Sequence, residues 1–295
     1  MNCPICESSA GWPIAATLEP AIAAWRAEAG DTRPYSWRLC KQCGNGYPST
    51  PPLAKVLNRH WQADRRVEDG EKAAQAVWQR RLAMGRAGAD LAYKVFAPLH
   101  RGSPGRFLDI ACGLGETVRK FRDCGWDAEG IDLDASTKPF HDKQELRVRI
   151  GRFEDEPLAS RYQLIQISHA IYFITEPMAF LRRVRTQLTE DGLFAVVISD
   201  FLAAHAQSGP SYANTFYPCG PSMGYALALA GLAPILTRTI GGDIYIAARP
   251  AAVETPRINT QRIYWRYRTK NLRFAVLGRP YLATRQLAKV LLGRA

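Results

Sequence analysis

The residues that point most directly to chemistry are an acid and two glycines within residues 107–115. Residues 107–110 are apolar apart from Asp109, and they lead into Gly113 and Gly115. Residues 116–121 then have the composition of a helix start. Glycines let a backbone approach a ligand closely, and the first turn of a helix presents unpaired N–H groups. The pattern predicts a strand, a ligand-holding turn and a helix.

A second acid ends the next apolar segment. Asp132 closes residues 128–132 and lies 17 residues after Gly115. In nucleotide-binding βαβ units an acid about 20 residues beyond the glycines binds ribose hydroxyls. The dinucleotide pattern requires another glycine three residues after Gly115, where this chain has Val118. The spacing therefore indicates a nucleoside ligand and argues against NAD.

The strand, the acid–glycine turn, the helix and the second acid together resemble the first two motifs of the class I S-adenosylmethionine-dependent methyltransferases. The resemblance implies S-adenosylmethionine as cofactor and a Rossmann-like α/β fold with a seven-stranded, mostly parallel, doubly wound sheet. It covers residues 101–250, which we expect to be the methyltransferase domain. The positions that it implies for cofactor binding are Asp109, Ala111, Gly113, Gly115, Asp132, Leu133, Phe153, Glu154, Ser168 and His169.

One loop departs from the family pattern. After the third strand, family members often carry an acid that accepts a hydrogen bond from the adenine amino group, and this chain has Arg152 there. Glu154 or Asp155 is the alternative acid, and backbone groups of Phe153 could hold the edge of the ring. A solvated loop without cofactor contacts is the other interpretation.

Alternating apolar strands and helical segments predict a mostly parallel sheet with helices on both faces. The expected strands are 106–111, 127–132, 146–150, 162–168, 192–199, 233–240 and 243–249. The expected helices are 115–124, 135–142, 177–188 and 220–231. Ligands of such sheets bind beyond the carboxyl ends of the strands, so Asp109 and Asp132 are expected at one edge.

Three side chains near that edge are candidate bases if the methyl acceptor is a hydroxyl. They are His169, Asp200 and His205. His169 is also consistent with a structural histidine bonded to the backbone. Residues 201–237 contain no Asp, Glu, Lys or Arg and are rich in aromatics. They predict an apolar substrate pocket whose polar groups are Tyr172, Tyr212 and Tyr217.

Two C-x-x-C pairs lie within residues 1–50, namely Cys3, Cys6, Cys40 and Cys43. Each tight turn aims two thiolates at one point, which predicts a structural Zn²⁺ site in a zinc-ribbon-like module. The 33 residues between the pairs are expected to hold a short helix around 18–29. Disulfides are the alternative, which the lack of a secretory signal after Met1 disfavours.

The remaining segments differ sharply in charge. Residues 51–100 are predicted to form a helical arm, interrupted near Gly85 and Gly88. This arm either packs between the N-terminal module and the main domain or covers the cofactor. Residues 251–295 carry ten Lys or Arg and one Asp or Glu, whereas residues 101–250 carry 16 and 17. The overall charge of +12 therefore belongs mostly to the C-terminal tail. A near-neutral catalytic segment favours a small-molecule or saccharide acceptor over a long polyanion.

The tail interleaves aromatics with arginine at 263–268 and predicts a basic amphipathic helix over 282–291. We weigh three interpretations: an appendage packed on the core, attachment to an anionic membrane face, and an RNA-binding arm. We expect a cytoplasmic protein, peripheral at the inner membrane face under the second interpretation. Two functional alternatives remain: an rRNA methyltransferase with a zinc module, and a non-catalytic assembly protein that keeps the cofactor fold.

Overall fold

The computed structural model describes residues 1–16, 18–62, 70–158, 161–203, 209–273 and 276, which form two β-sheets with flanking helices. The smaller sheet is antiparallel and has the order β1-β2-β3, with β1 Gly11–Ile14, β2 Trp37–Cys40 and β3 Gly46–Pro48. Helix α1, Pro20–Glu28, joins β1 to β2 and confirms the helix expected in the gap between the cysteine pairs.

Two helices link this sheet to the rest of the chain: α2, Ala54–Gln62, and α3, Gly70–Phe96. The predicted interruption at Gly85 and Gly88 is wrong, because α3 is continuous over 27 residues. A Cβ on Gly85 would lie 3.3 Å from Cγ of Glu116, the first residue of α4. Close packing between α3 and α4 therefore offsets the poor helix propensity of glycine, about 1 kcal/mol per residue.

The larger sheet has seven strands in the order β6-β5-β4-β7-β8-β10-β9. Strands β4 to β8 pair in parallel, and β10 is antiparallel to both of its neighbours. The predicted sheet is confirmed, although β8 begins at Leu188 rather than 192. The strands are β4 Arg106–Ile110, β5 Asp127–Asp132, β6 Val148–Ile150, β7 Tyr162–Ser168, β8 Leu188–Ser199, β9 Leu232–Ile240 and β10 Asp243–Pro250.

Helices cover both faces of this sheet. They are α4 Glu116–Asp123, α5 Lys138–Lys143, α6 Pro177–Gln187 and α7 Gly220–Leu229. Consecutive residues of β4 enter different apolar clusters: Leu108 packs on one face, whereas Phe107 packs on the other. The ring of Phe107 stacks on that of Phe121 in α4 at 3.8 Å. Burial of both faces explains the continuous apolar runs in the sequence.

A last helix, α8, spans residues 260–273. It buries Ile263 and Tyr267, and the Tyr267 hydroxyl donates to the Ala15 carbonyl at 2.5 Å. Lys270 Nζ donates to the Phe201 carbonyl at 2.6 Å, so α8 joins the small sheet to the segment after β8. The amphipathic helix expected over 282–291 lies outside the described residues. Within the described part of the chain, no helix is long and apolar enough to cross a membrane.

Candidate active site

The turn between β4 and α4 adopts left-handed backbone conformations. The φ angles are +57° at Ala111, +56° at Gly113 and +76° at Gly115. A Cβ on Gly115 would lie 2.6 Å from Cδ1 of Leu146, so a side chain there would force Leu146 to move in addition to straining the backbone. Nothing lies within 4 Å of the corresponding point at Gly113. The turn therefore presents an open space at Gly113, beside the start of α4.

Asp132 ends β5, the parallel neighbour of β4, and its carboxylate ties this turn together. One oxygen accepts from the Gly113 N–H at 2.6 Å, and the other accepts from the Asp134 N–H at 2.8 Å. Burial raises the pKa of Asp132, while the two backbone donors oppose that shift. A carboxylate offers about four lone-pair sites, so two remain for a ligand's hydroxyl groups.

Asp109 is 3% exposed, on β4. Burial raises the pKa of Asp109 to about 8, with a further contribution from the nearby charge of Asp132, while a hydrogen bond from Thr117 opposes the shift. The two acids therefore lie at one edge of the sheet and sense each other's charge. Near neutral pH the Asp109 carboxyl is largely protonated.

His141 of α5 is a member of this site that the sequence did not reveal. Its Nε2 lies 2.7 Å from the Gly113 carbonyl, and its buried Nδ1 has no partner among the described residues. The carbonyl and N–H of Gly113 are thus held by His141 and Asp132 respectively. No motif marked His141, because its contact with Gly113 spans 28 residues.

Helix α3 lies across the start of α4. Arg86 Nε is 3.3 Å from Oε2 of buried Glu116, the residue after Gly115, and Arg119 binds the same oxygen at 2.9 Å. Nearer the N-terminal end of α3, the Trp78 ring lies 4.5 Å from the Phe140 ring of α5. The helix therefore contacts the elements on both sides of the glycine turn.

The residues expected near adenine have different environments. Leu133, after Asp132, is 62% exposed, which leaves an apolar side chain at the open edge. The Phe153 side chain is buried against Phe180, with ring centroids 5.3 Å apart, so only its backbone remains for a ligand. The half-exposed Glu154 carboxylate lies 3.9 Å from Arg152 Nε.

His169 follows Ser168 at the end of β7 and has a left-handed backbone, with φ +53°. Its Nε2 lies 3.5 Å from Oδ2 of Asp243. Its Nδ1 lies 3.4 Å from both the Tyr172 hydroxyl and Ser199 Oγ. Asp243 was missed by the sequence analysis, because only the pairing of β10 with β8 places it opposite Ser199.

The other candidates around β8 are placed less favourably for chemistry. The Asp200 carboxylate accepts from the Leu202 N–H at 2.9 Å and so shapes the local turn. Tyr217 is half-buried, with its ring 5.4 Å from that of Tyr172. His205 lies outside the described residues.

Tyr212 does not fit the substrate role that the sequence suggested. It is 3% exposed, its hydroxyl donates to Asp31, and the same oxygen accepts from the Leu53 N–H at 3.0 Å. Asp31 is itself held by Arg33 and Arg26, and hydrogen bonds from these arginines lower the pKa of Asp31 despite its burial. Tyr212 therefore joins the N-terminal segment to the segment after β8 and has no group free for a substrate.

The four N-terminal cysteines converge. The Sγ atoms of Cys3, Cys6, Cys40 and Cys43 all lie within 4.8 Å of one another. The closest pairs, Cys3 with Cys43 and Cys6 with Cys40, are 3.5 Å apart. A tetrahedral ZnS₄ centre with Zn–S bonds of about 2.3 Å requires sulfurs about 3.8 Å apart. The donor set and its spacing therefore fit a zinc ion.

Polar contacts connect this cluster to the larger domain. The Gln42 N–H points at Cys40 Sγ at 3.4 Å, and the Asn45 side-chain amide points at Cys43 Sγ at 3.5 Å. The same amide donates to the Ser222 carbonyl in α7 at 3.2 Å. Gly46 and Tyr217 exchange two backbone hydrogen bonds, of 2.9 and 2.8 Å. The small sheet is thus docked on the segment between β8 and α7.

Comparison with solved structures finds several that match part of this chain. A glycopeptide N-methyltransferase complexed with S-adenosylmethionine is 16% identical over 55% of this chain and 93% of its own, with a TM-score of 0.46. The CcbJ methyltransferase from Streptomyces caelestis is 16% identical over 57% and 90%, with a TM-score of 0.47. An S-adenosylmethionine-dependent methyltransferase from Clostridium acetobutylicum is 12% identical over 55% and 90%, with a TM-score of 0.46.

No curated protein matches the sequence. A family model described as a methyltransferase domain does match, over residues 79–234. That interval is more than half of the 295 residues and includes the glycine turn, Asp132 and His169. The sheet order, with its final antiparallel strand, is that of the Rossmann-like methyltransferase fold. The chain therefore belongs to the methyltransferase-domain family.

Proposed function

We propose that this protein transfers a methyl group from S-adenosylmethionine to a small-molecule or saccharide acceptor. The observation that carries the proposal is the placement of Asp132 beside the open turn at Gly113, with Asp109 behind it. An acid bound to a turn whose next glycine has a left-handed backbone and little room for a side chain is a nucleoside-binding arrangement. The proposal leaves open whether the acceptor atom is oxygen, nitrogen or carbon.

Several residues would hold the cofactor. The free lone pairs of Asp132 suit the two ribose hydroxyls, and exposed Leu133 offers an apolar contact for adenine. Backbone groups of Ala111 and Phe153 would line the same edge, Gly113 would leave space for the ligand, and Ser168 and Glu154 would lie nearby. The Arg86–Glu116 and Trp78–Phe140 contacts support a covering role for α3 over this cleft, in addition to its packing on α4.

When bound, S-adenosylmethionine supplies a methyl group already activated by the positive sulfonium. The protein's main tasks are then to align the acceptor and to exclude water. For a hydroxyl acceptor, His169 is the best-placed base, because Asp243 is positioned to stabilise its protonated ring. Asp200 is a weaker candidate, since its carboxylate is used in a turn.

We further propose that Cys3, Cys6, Cys40 and Cys43 bind a structural Zn²⁺. All four positions are cysteines, so the site has no open coordination position for chemistry. The N–H groups near Cys40 and Cys43 would stabilise thiolate ligands, as outer-sphere donors do in metal sites. Through Asn45 and Gly46 this site would hold the segment around Tyr217, whose ring lies 5.4 Å from that of Tyr172, the neighbour of His169.

Isothermal titration calorimetry with S-adenosylmethionine tests the proposal. Replacing Asp132 by alanine should weaken binding by a factor of about 10–150, because charge-assisted hydrogen bonds contribute about 1.5–3 kcal/mol. Asp191→Ala is the matched control, since this exposed acid lies near the start of β8, at the other edge of the sheet. A wild-type protein that does not bind the cofactor would support the assembly-protein alternative and overturn the enzymatic proposal.

The acceptor requires a separate assay. The protein and isotope-labelled S-adenosylmethionine should be incubated with nucleotide-linked sugars, saccharides or ribosomal RNA, and the products examined by mass spectrometry. We expect label in a small molecule or saccharide. Labelled RNA with unlabelled saccharides would replace our proposal by the rRNA alternative.

A further inference from the structure

Helix α8 has two different faces. Ile263, Tyr267 and Lys270 are buried against the small sheet and the segment after β8. On the outer side, Trp265 is 55% exposed and Leu272 is 63% exposed. A helix with one buried face needs no apolar residues on the other, so the outer side calls for its own explanation.

The exposed apolar residues are aligned. At about 100° per residue, Leu272 falls within about 20° of Trp265 around the helix axis. Val276, which is also helical and is 72% exposed, falls within about 20° on the other side by the same spacing. Other large exposed apolar side chains of the described residues, such as Met84, Leu229 and Ile235, lie on separate elements. The alignment makes a stripe, which single surface residues do not.

Arginines border this stripe on both sides. By the same helical spacing, Arg268 lies on one side, and Arg262, Arg266 and Arg273 lie on the other. No carboxylate among the described residues forms an ion pair with any of these four. The following residues, 277–295, add four Lys or Arg and no Asp or Glu. Positive charge therefore accumulates at the stripe without internal compensation.

The apolar surface continues beyond the helix. A groove of about 630 Å³ lies at the junction of α8 and β1, and its lining includes Trp265, Leu272, Pro13 and Ile14. Arg268 lines the same groove. An apolar stripe with an adjoining groove and a cationic border matches the acyl-chain and headgroup layers of an anionic bilayer surface.

We propose that the outer face of α8 docks on an anionic lipid surface, with Trp265, Leu272 and Val276 entering the interface and the arginines contacting headgroups. Tryptophan suits this boundary, because its ring is apolar and its N–H can remain hydrated. RNA accounts less well for the stripe, since exposed leucine and valine offer nothing to phosphates or base edges. Because Lys270 binds the Phe201 carbonyl, docking would bring the β8 end of the sheet near the membrane.

Vesicle co-sedimentation of the full chain tests the proposal. The wild type should bind vesicles of phosphatidylcholine mixed with phosphatidylglycerol, should not bind phosphatidylcholine alone, and should dissociate as salt rises. Trp265→Ser with Leu272→Ser should lower the partition coefficient about tenfold or more. Arg262→Gln, Arg266→Gln and Arg273→Gln should lower it about fivefold for each arginine.

Leu229→Ser with Ile235→Ser is the matched control, because both residues are exposed and belong to α7 and β9 rather than to α8. It should bind like the wild type, and unchanged thermal unfolding of all variants would show that they fold. Absence of wild-type binding to the anionic vesicles would overturn the proposal. So would unchanged binding of the Trp265/Leu272 variant, or binding to a single-stranded RNA oligonucleotide without binding to vesicles.

Discussion

The two halves of the large sheet are built in different ways. On the β4–β6 side, the turn, Asp132 and His141 all come from residues 109–141 and are joined by contacts that span at most 28 residues. On the β7–β10 side, His169 meets Asp243, and Tyr217 meets Gly46, across long stretches of chain. The first half can form a ligand site almost alone, whereas the second depends on the sheet order and on the docked N-terminal module.

Loss of the metal should give the largest difference in effect between the two halves of the large sheet. Cys40→Ser should remove zinc and unfold the N-terminal module, since structural zinc supplies about 10–16 kcal/mol of binding free energy in small zinc domains. Calorimetric affinity for S-adenosylmethionine should fall much less, because among the described residues the side chains that hold Gly113 come from β5 and α5 and not from this module. Metal analysis and a two-stage thermal unfolding curve would check the first point. Cys124→Ser is the control, and a metal-free wild type would contradict the prediction.

Asp109 should give the next largest effect, on pH-dependent stability. Because the pKa of Asp109 is raised to about 8 in the folded protein, the folded state holds a proton that the unfolded state releases above about pH 4. Stability should therefore fall as pH rises between about 4 and about 8, by up to about 1.4 kcal/mol per pH unit from this residue.

Asp109→Asn removes this titration while keeping the shape of the side chain. Denaturant unfolding at several pH values should show a flatter profile for the variant and greater stability than the wild type at pH 8. If the stability of the two proteins changed with pH in parallel, Asp109 would ionise with an ordinary pKa. Its assignment to the buried part of the site would then be wrong.

The two glycines of the turn should respond differently. Gly115→Ala should cost about 2–4 kcal/mol of stability, from the left-handed backbone and the contact with Leu146. Gly113→Ala should cost only about 1 kcal/mol, because the space beside it is open. Its affinity for S-adenosylmethionine should nevertheless fall strongly, since the methyl group would occupy the proposed ligand space. Thermal unfolding measures the stability of each variant, and calorimetry measures its affinity for S-adenosylmethionine. If the two variants lost equal affinity while differing in stability, the distinction between the two glycines would be contradicted.

Asp243 should give the smallest of these effects. It tests the β7–β10 half of the sheet, which long-range contacts assemble. Asp243→Asn should lower kcat for a hydroxyl acceptor about tenfold to a hundredfold, by weakening the support of protonated His169. The Kd for S-adenosylmethionine should not change, because Asp243 lies on the opposite half from Asp132. Asp191→Asn is the control. An unchanged kcat, or an equal loss with an acceptor that has no proton to release, would remove the His169–Asp243 pair from the mechanism.

Local sequence determined much of this protein. Apolar runs placed six of the seven strands within two residues of their observed limits, and β8 differed only by its earlier start. The glycine turn, Asp132 and the two C-x-x-C pairs were also readable, because each depends on residue types and spacing within a short segment. The periods of strands and helices are local properties of the sequence, so they can be recognised without knowledge of the fold.

Only the tertiary structure decided which distant residues meet. The pairing of β10 with β8 placed Asp243 beside His169, α5 folded His141 back onto Gly113, and packing against Asp31 buried Tyr212. Helix α3 stayed continuous at Gly85 because it packs closely on α4. These outcomes depend on contacts between separate elements that span from 28 to 181 residues, and no single stretch of sequence encodes the distance between them.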